Sequence, residues 1–109
     1  MYSNTSKARL LTNLSNAARL EILEIISEKE TSVNELAERL EMSQSAVSQH
    51  LARLRVDGLV TTRRDAQTVY YRCANLGVQR VLEILNEIFS AEFDAANGAT
   101  LARPRRLAG

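Results

Sequence analysis

The chain has 109 residues, with 14 Lys+Arg against 13 Asp+Glu, a formal net charge of +1 and 45% apolar side chains. That is one domain's worth of ordinary globular composition, and its single Cys and single His exclude an intrachain disulfide framework and a four-ligand Cys/His zinc site within one chain. No apolar run nears the roughly 18–20 residues that span a bilayer, and MYSNTSKARL lacks the apolar core of a secretory signal, which predicts a cytoplasmic protein with no membrane partner.

Residues 5–14 form a short amphipathic segment with Leu10, Leu11 and Leu14. Asn16 can cap a second helix, Ala17 to about Glu28, in which Leu20, Ile22, Leu23 and Ile26 recur at helical spacing. Glu28–Thr31 is a polar break. Ser32-Val-Asn-Glu35 fits a capping box, with Ser32 accepting from the Glu35 N–H and the Glu35 side chain reaching back. The helix it starts buries Leu36, Ala37 and Leu40. A turn, Glu41-Met42-Ser43, leads to a fourth helix from Gln44 to Val56. Ser43 is its cap, Val47, Leu51 and Leu54 its apolar stripe, and Gly58 its stop signal. The period then changes from 3.6 to 2. Leu59–Arg64 and Gln67–Cys73 are rich in β-branched and aromatic residues, and Arg64-Asp65-Ala66 between them predicts a hairpin turn. A last helix, Leu76 to about Ala95, carries Val78, Val81, Leu82, Leu85, Ile88 and Phe89 on one broad stripe. The rest contains the only Pro and has no period. A domain over residues 1–95 and a disordered basic tail over 96–109 are expected.

This order predicts a winged helix-turn-helix: mainly α, with four helices, a small β-hairpin wing and a fifth helix. The segment Ser43–Asp57 is the candidate recognition helix. At about 100° per residue, Ser45, Ser48, Gln49 and Ala52 share one arc, with the apolar stripe on the other side. Gln44 and Gln49 can each pair with an adenine edge, Ser45 and Ser48 can bond to a base or a phosphate, and the helix N-terminus behind Ser43 favours a phosphate. Gln and Ser on a helix face are most often only solvated. The charge pattern tips the balance. Residues 19–41 sum to −4 and residues 42–73 to +3, and no Glu or Asp lies between Met42 and Val56. A face that meets phosphates has reason to exclude carboxylates, and a solvated face has none. Near the hairpin tip, Arg63, Arg64 and Gln67 can reach a minor groove.

Leu10, Leu11 and Leu14, together with the stripe of the last helix, exceed what so small a domain can bury alone. A homodimer through the first and last helices is therefore expected. It would set two recognition helices about 34 Å apart on a pseudo-palindromic DNA operator. Tyr70 and Tyr71 are expected to pack against the helices, and His50 to be packed or bonded to a phosphate. Cys73 is expected to be a buried, inert thiol, with a redox-responsive regulator acting through it as an alternative. No Ser–His arrangement for hydrolysis and no phosphate-cradling Gly loop is present, so neither enzymatic activity nor a cofactor is expected. A protein–protein module that keeps the fold without binding DNA is the alternative from another class.

The string SQSAVSQHLARLRVDGLVTTRRDAQTVYYR at residues 43–72, with NAARLEIL upstream, resembles the ArsR/SmtB family of winged-helix repressors. Within it the likeness is to the branch that includes a rhizobial nodulation repressor and a virulence regulator, and it covers about residues 8–92. The resemblance implies a repressor dimer on operator DNA, with contacts from Gln44, Ser45, Ser48 and Gln49 and a wing contact from Arg64. The sensor sites of the family are replaced. The paired cysteines of arsenic-type members correspond to Ser32 and Asn34. The last helix lacks the His of zinc-type members. The cysteine pair of sulfide- and peroxide-type members corresponds to Glu24 and Ser90. The resemblance therefore implies a repressor that needs no metal.

Overall fold

In the computed structural model, which describes residues 3–90, each of the first four helices begins at a side chain that accepts an otherwise orphaned N–H. Ser3 Oγ accepts from Ser6 at the start of α1 (Asn4–Leu14), and Asn16 Oδ1 from Arg19 at the start of α2 (Ala17–Glu28). Ser32 Oγ accepts from Glu35 at the start of α3 (Val33–Leu40), and Ser43 Oγ from Ala46 at the start of α4 (Gln44–Val56). Each such cap stabilises its helix by about 1 kcal/mol. The ends of α3 and α4 are left-handed. Glu41 sits at φ 53 and Gly58 at φ 74, and the chain closes back through Met42 N–H to Ala37 O and Leu59 N–H to Leu54 O. Gly58 takes that conformation without strain, as its sequence position predicts.

The chain divides into two compact units, Met1–Leu76 and Gly77–Gly109. In the first, the core is built from Ile22, Leu23 and Ile26 of α2, Leu36 and Ala37 of α3, and Val47, Leu51 and Leu54 of α4, all buried. Leu40, expected in this core, is half-buried. Thr31, the end of the expected polar break, and the cap residue Ser32 form a strand, β1 (Thr31–Ser32), which pairs antiparallel with β3 (Thr68–Arg72), and β3 with β2 (Thr61–Asp65). The sheet order is β1-β3-β2. A two-residue strand carries no period of its own and exists only because Tyr70 and Tyr71 offer it a partner edge.

The hairpin turn also differs from expectation. Asp65 pairs with Thr68, so the turn is Ala66-Gln67, and Arg64 lies within β2 opposite Val69. Ala66 takes φ 57, a conformation that costs a Cβ-bearing residue roughly 1–2 kcal/mol.

In the second unit, α5 (Leu76–Ile88) is shorter than expected. Both Ser90 N–H and Ser90 Oγ bond to Glu87 O, taking up a carbonyl that a continuing helix would use. Residues 91–95 of the expected helix and the tail 96–109 lie outside the described residues. No helix among the described residues is long and apolar enough to cross a membrane.

Candidate nucleic-acid interface

Helix α4 stands on a stripe that no solvent reaches. Val47, Leu51 and Leu54 are each 0% exposed, while Gln44, Ser45, Ser48, Gln49 and Ala52 are all exposed. The amphipathic split thus fixes the roll of the helix and turns a face of amides, hydroxyls and one methyl group outward. Its first turn holds no acid, and its last turn holds Arg53 and Arg55. Ser43 is exposed and already serves as the cap acceptor, which leaves its O–H to donate.

The wing sorts its two arginines by register. Paired residues share a face and neighbours alternate, so Arg63 lies with Tyr70 and Arg64 with Val69. Arg63 is committed. Its Nε lies 3.1 Å from both carboxylate oxygens of Glu30, its Nη2 also bonds to Glu30, and its guanidinium carbon stands 4.8 Å from the Tyr70 ring centre. Asp65 adds a second carboxylate at 3.9 Å. The hydrogen bond from Arg63 holds the Glu30 carboxyl below its ordinary range. Arg63, expected as a DNA contact, is therefore tied down within its own chain. Among the described residues, Arg55 and Arg64 take part in no ion pair. Gln67 is exposed in the turn.

His50 is half-buried, with Nδ1 3.5 Å from an Arg19 nitrogen. Burial first, and the Arg19 charge second, push its pKa down, which favours the neutral ring. Asp57, which closes α4, is held below the ordinary carboxylate range by hydrogen bonds from Asn13 and Arg9. Glu30, Asn13, Arg9 and Arg19 were not legible as partners of these groups.

Known proteins are similar to this chain in sequence and in fold. The family model for "Bacterial regulatory protein, arsR family" matches residues 16–62. The chain is 49% identical over 90 residues to the transcriptional activator HlyU of Vibrio cholerae serotype O1, spanning 82% of this chain and 83% of that protein. The chain belongs to the arsR family. Members of this family are transcription regulators and not enzymes. Among solved structures, NolR from Sinorhizobium fredii is similar with a TM-score of 0.76 and 43% identity, over 79% of this chain and 86% of that one. The homodimeric winged helix-turn-helix DNA-binding domain Mb0332 from Mycobacterium bovis is similar with a TM-score of 0.70 and 26% identity, over 94% and 88%.

In this arsR-family chain the positions that resemble sensor ligands carry other chemistry. Ser32 caps α3, and Asn34 is an exposed amide. Glu24 is exposed, with its pKa raised by partial desolvation and by the neighbouring Glu21 and Glu28. Ser90 Oγ donates to Glu87 O. Among the described residues, no group of three or more His, Cys, Asp and Glu is arranged to hold a metal ion.

The residues expected at a dimer interface divide by burial. Leu14, Val78 and Leu82 are buried within the single chain and have little surface left for a partner. Leu10, Val81, Leu85 and Ile88 are half-buried, while Leu11 is 63% and Phe89 40% exposed. Ile84, at 53%, joins the exposed set. Its place beside the expected stripe widens that stripe by one residue.

Cys73 is fully buried, just past β3, with its N–H bonded to Ile26 O. Iodoacetamide is expected to leave Cys73 unmodified in the folded protein and to label it in denaturant, as read by intact-mass spectrometry. Rapid labelling under native conditions would revive a redox role for this thiol.

Proposed function

We propose that two copies of the chain bind a pseudo-palindromic DNA operator as a two-fold dimer and repress transcription, with no metal required. Helix α4 lies in the major groove, with Gln44, Ser45, Ser48 and Gln49 toward base edges and Ser43 with the helix N-terminus toward a phosphate. Arg64 and Gln67 lie toward the adjacent minor groove. Arg63, its side chain still 52% exposed, holds the wing in place through Glu30 and Tyr70. The observation that carries this reading is the exposed, carboxylate-free arc of α4 above a fully buried stripe.

The homodimeric M. bovis neighbour supports pairing, and Leu11, Ile84 and Phe89 supply exposed apolar surface for it on α1 and at α5. Ser32 and Asn34 at the positions of the arsenic-type cysteines, and a last helix without His, support independence from metal. Repression follows if the dimer covers its operator and occludes polymerase. HlyU is named an activator, so the sign is read by in vitro transcription from a promoter carrying the operator. In this reading residues 1–95 form the DNA-binding and dimerisation domain, 96–109 a basic tail, and the protein works in the cytoplasm.

The test is a mobility-shift titration at two salt concentrations, on a duplex selected from random-sequence DNA and on an unselected one. Each neutralised phosphate contributes about −0.9 to the log–log slope of affinity against salt. Arg64→Ala is expected to weaken both duplexes alike and to flatten the slope by about that amount. No shift with any duplex, or an affinity indifferent to salt, would favour the protein–protein module.

A further inference from the structure

Helix α1 is fastened to the recognition helix at two polar points. At the C-terminal end of α4, the Asp57 carboxylate accepts from Asn13 Nδ2 at 2.6 Å and from Arg9 at 2.8 Å. Arg53, one turn back on α4, stands 4.0 Å away. Seven residues earlier, His50 Nδ1 lies 3.5 Å from Arg19. The same guanidinium donates to the carbonyls of Thr12 and Asn13, in the last turn of α1. Residues seven apart share a helix face, so the two points lie about 10 Å apart on one flank of α4. A helix held at one point can pivot. Held at two points on one flank, with its apolar stripe in the core, it can neither swing nor roll.

Asp57 is poorly placed for helix stability alone. A carboxylate at a helix C-terminus faces the partial negative charge of the last carbonyls. Its side chain is nevertheless only 8% exposed. Asn13, 1% exposed, donates one amide hydrogen to Asp57 and the other to Arg9 O. A shielded carboxylate with two directed donors is held in one geometry, and the bond to Arg9 is charge-assisted at both ends.

We infer that the Asp57–Asn13–Arg9 latch is a positioning device that sets the angle of the recognition helix relative to α1, and with it the half-site spacing the dimer accepts. The inference rests on the dimeric operator binding proposed above. In a two-fold dimer paired through α1, any looseness between α1 and α4 is doubled across the axis. One base pair of spacer moves the half-sites by about 3.4 Å and turns them by about 35°. Two rigidly latched helices tolerate neither change, and two loosely hinged ones absorb both. Asp57 would then govern spacing, while Gln49 and its neighbours read bases.

The test uses the full chain and a palindromic duplex selected from random-sequence DNA. The duplex is remade with its half-sites one base pair closer or further apart, and also with a single half-site. Wild type is expected to lose at least about tenfold in affinity on each respaced duplex, the scale of one mismatched base pair. Asp57→Asn keeps the shape of the side chain, and Arg9→Ala trims an arm that is 63% exposed. Both are expected to cut the spacing penalty to about threefold or less, with single half-site affinity within about twofold of wild type. A variant that merely unfolds in part would weaken all duplexes together and leave their ratios alone. Ratios unchanged in both variants overturn the inference while leaving operator binding intact. A wild type with no spacing preference overturns the inference and the two-fold operator together, and a wild type that selects no DNA removes the proposed function itself.

Discussion

Gln49→Ala is expected to lose about 1–3 kcal/mol on the operator, roughly 5- to 150-fold in affinity, and to become indifferent to one base pair. Gln49 is exposed in the outward arc of α4, and its amide offers a donor and an acceptor side by side, as an adenine edge requires. Truncation to Ala leaves that edge unpaired in the complex. It should not harm the fold, because Ala is the better helix former and no core contact is lost. The discriminating measurement compares the selected duplex with random DNA. Equal loss on both would place Gln49 on the phosphate backbone and would contradict base reading.

Leu51→Ala is expected to cost about 2–5 kcal/mol of folding stability, a large share of the roughly 5–15 kcal/mol available to a domain of this kind. Leu51 is 0% exposed at the centre of the stripe that seats α4. The change removes transfer energy and leaves a cavity that rigid neighbours fill only in part. A thermal melt should fall by roughly 8 °C or more. Ser48→Ala, on the exposed face, should stay within about 0.5 kcal/mol of wild type. A loss below about 1 kcal/mol for Leu51→Ala would mean that the stripe does not seat the helix. Operator affinity should fall with stability, because a cavity under α4 lets the recognition face rock.

The helix starts were legible because a cap is local: Asn16, Ser32 and Ser43 each accept from the N–H three residues on. So was the roll of α4, since Val47, Leu51 and Leu54 repeat at the helical period. The hairpin was legible as an element but not in its turn. The tripeptide Arg64-Asp65-Ala66 looked like the turn, and the chain instead reverses at Ala66-Gln67. In a strand one residue of register decides the face. That shift sets Arg63 beside Tyr70 and Arg64 opposite Val69. Strand β1 left no trace in the sequence, because two residues cannot show alternation.

By itself, then, the sequence determined the order of helices and wing, the outward face of α4 and its freedom from acids. These follow from period, caps and composition, which act over a few residues and are written where they act. The tertiary structure alone decided what the charged groups do. Arg63 meets Glu30 across 33 positions, Arg19 meets His50 across 31, and Asn13 meets Asp57 across 44. A hydrogen bond or ion pair forms wherever folding brings donor and acceptor within about 3 Å, and its partner's position along the chain imposes no local pattern. For that reason the same arginines could be counted as a basic face from the sequence, and only the folded chain separates Arg64 toward solvent from Arg63 already held.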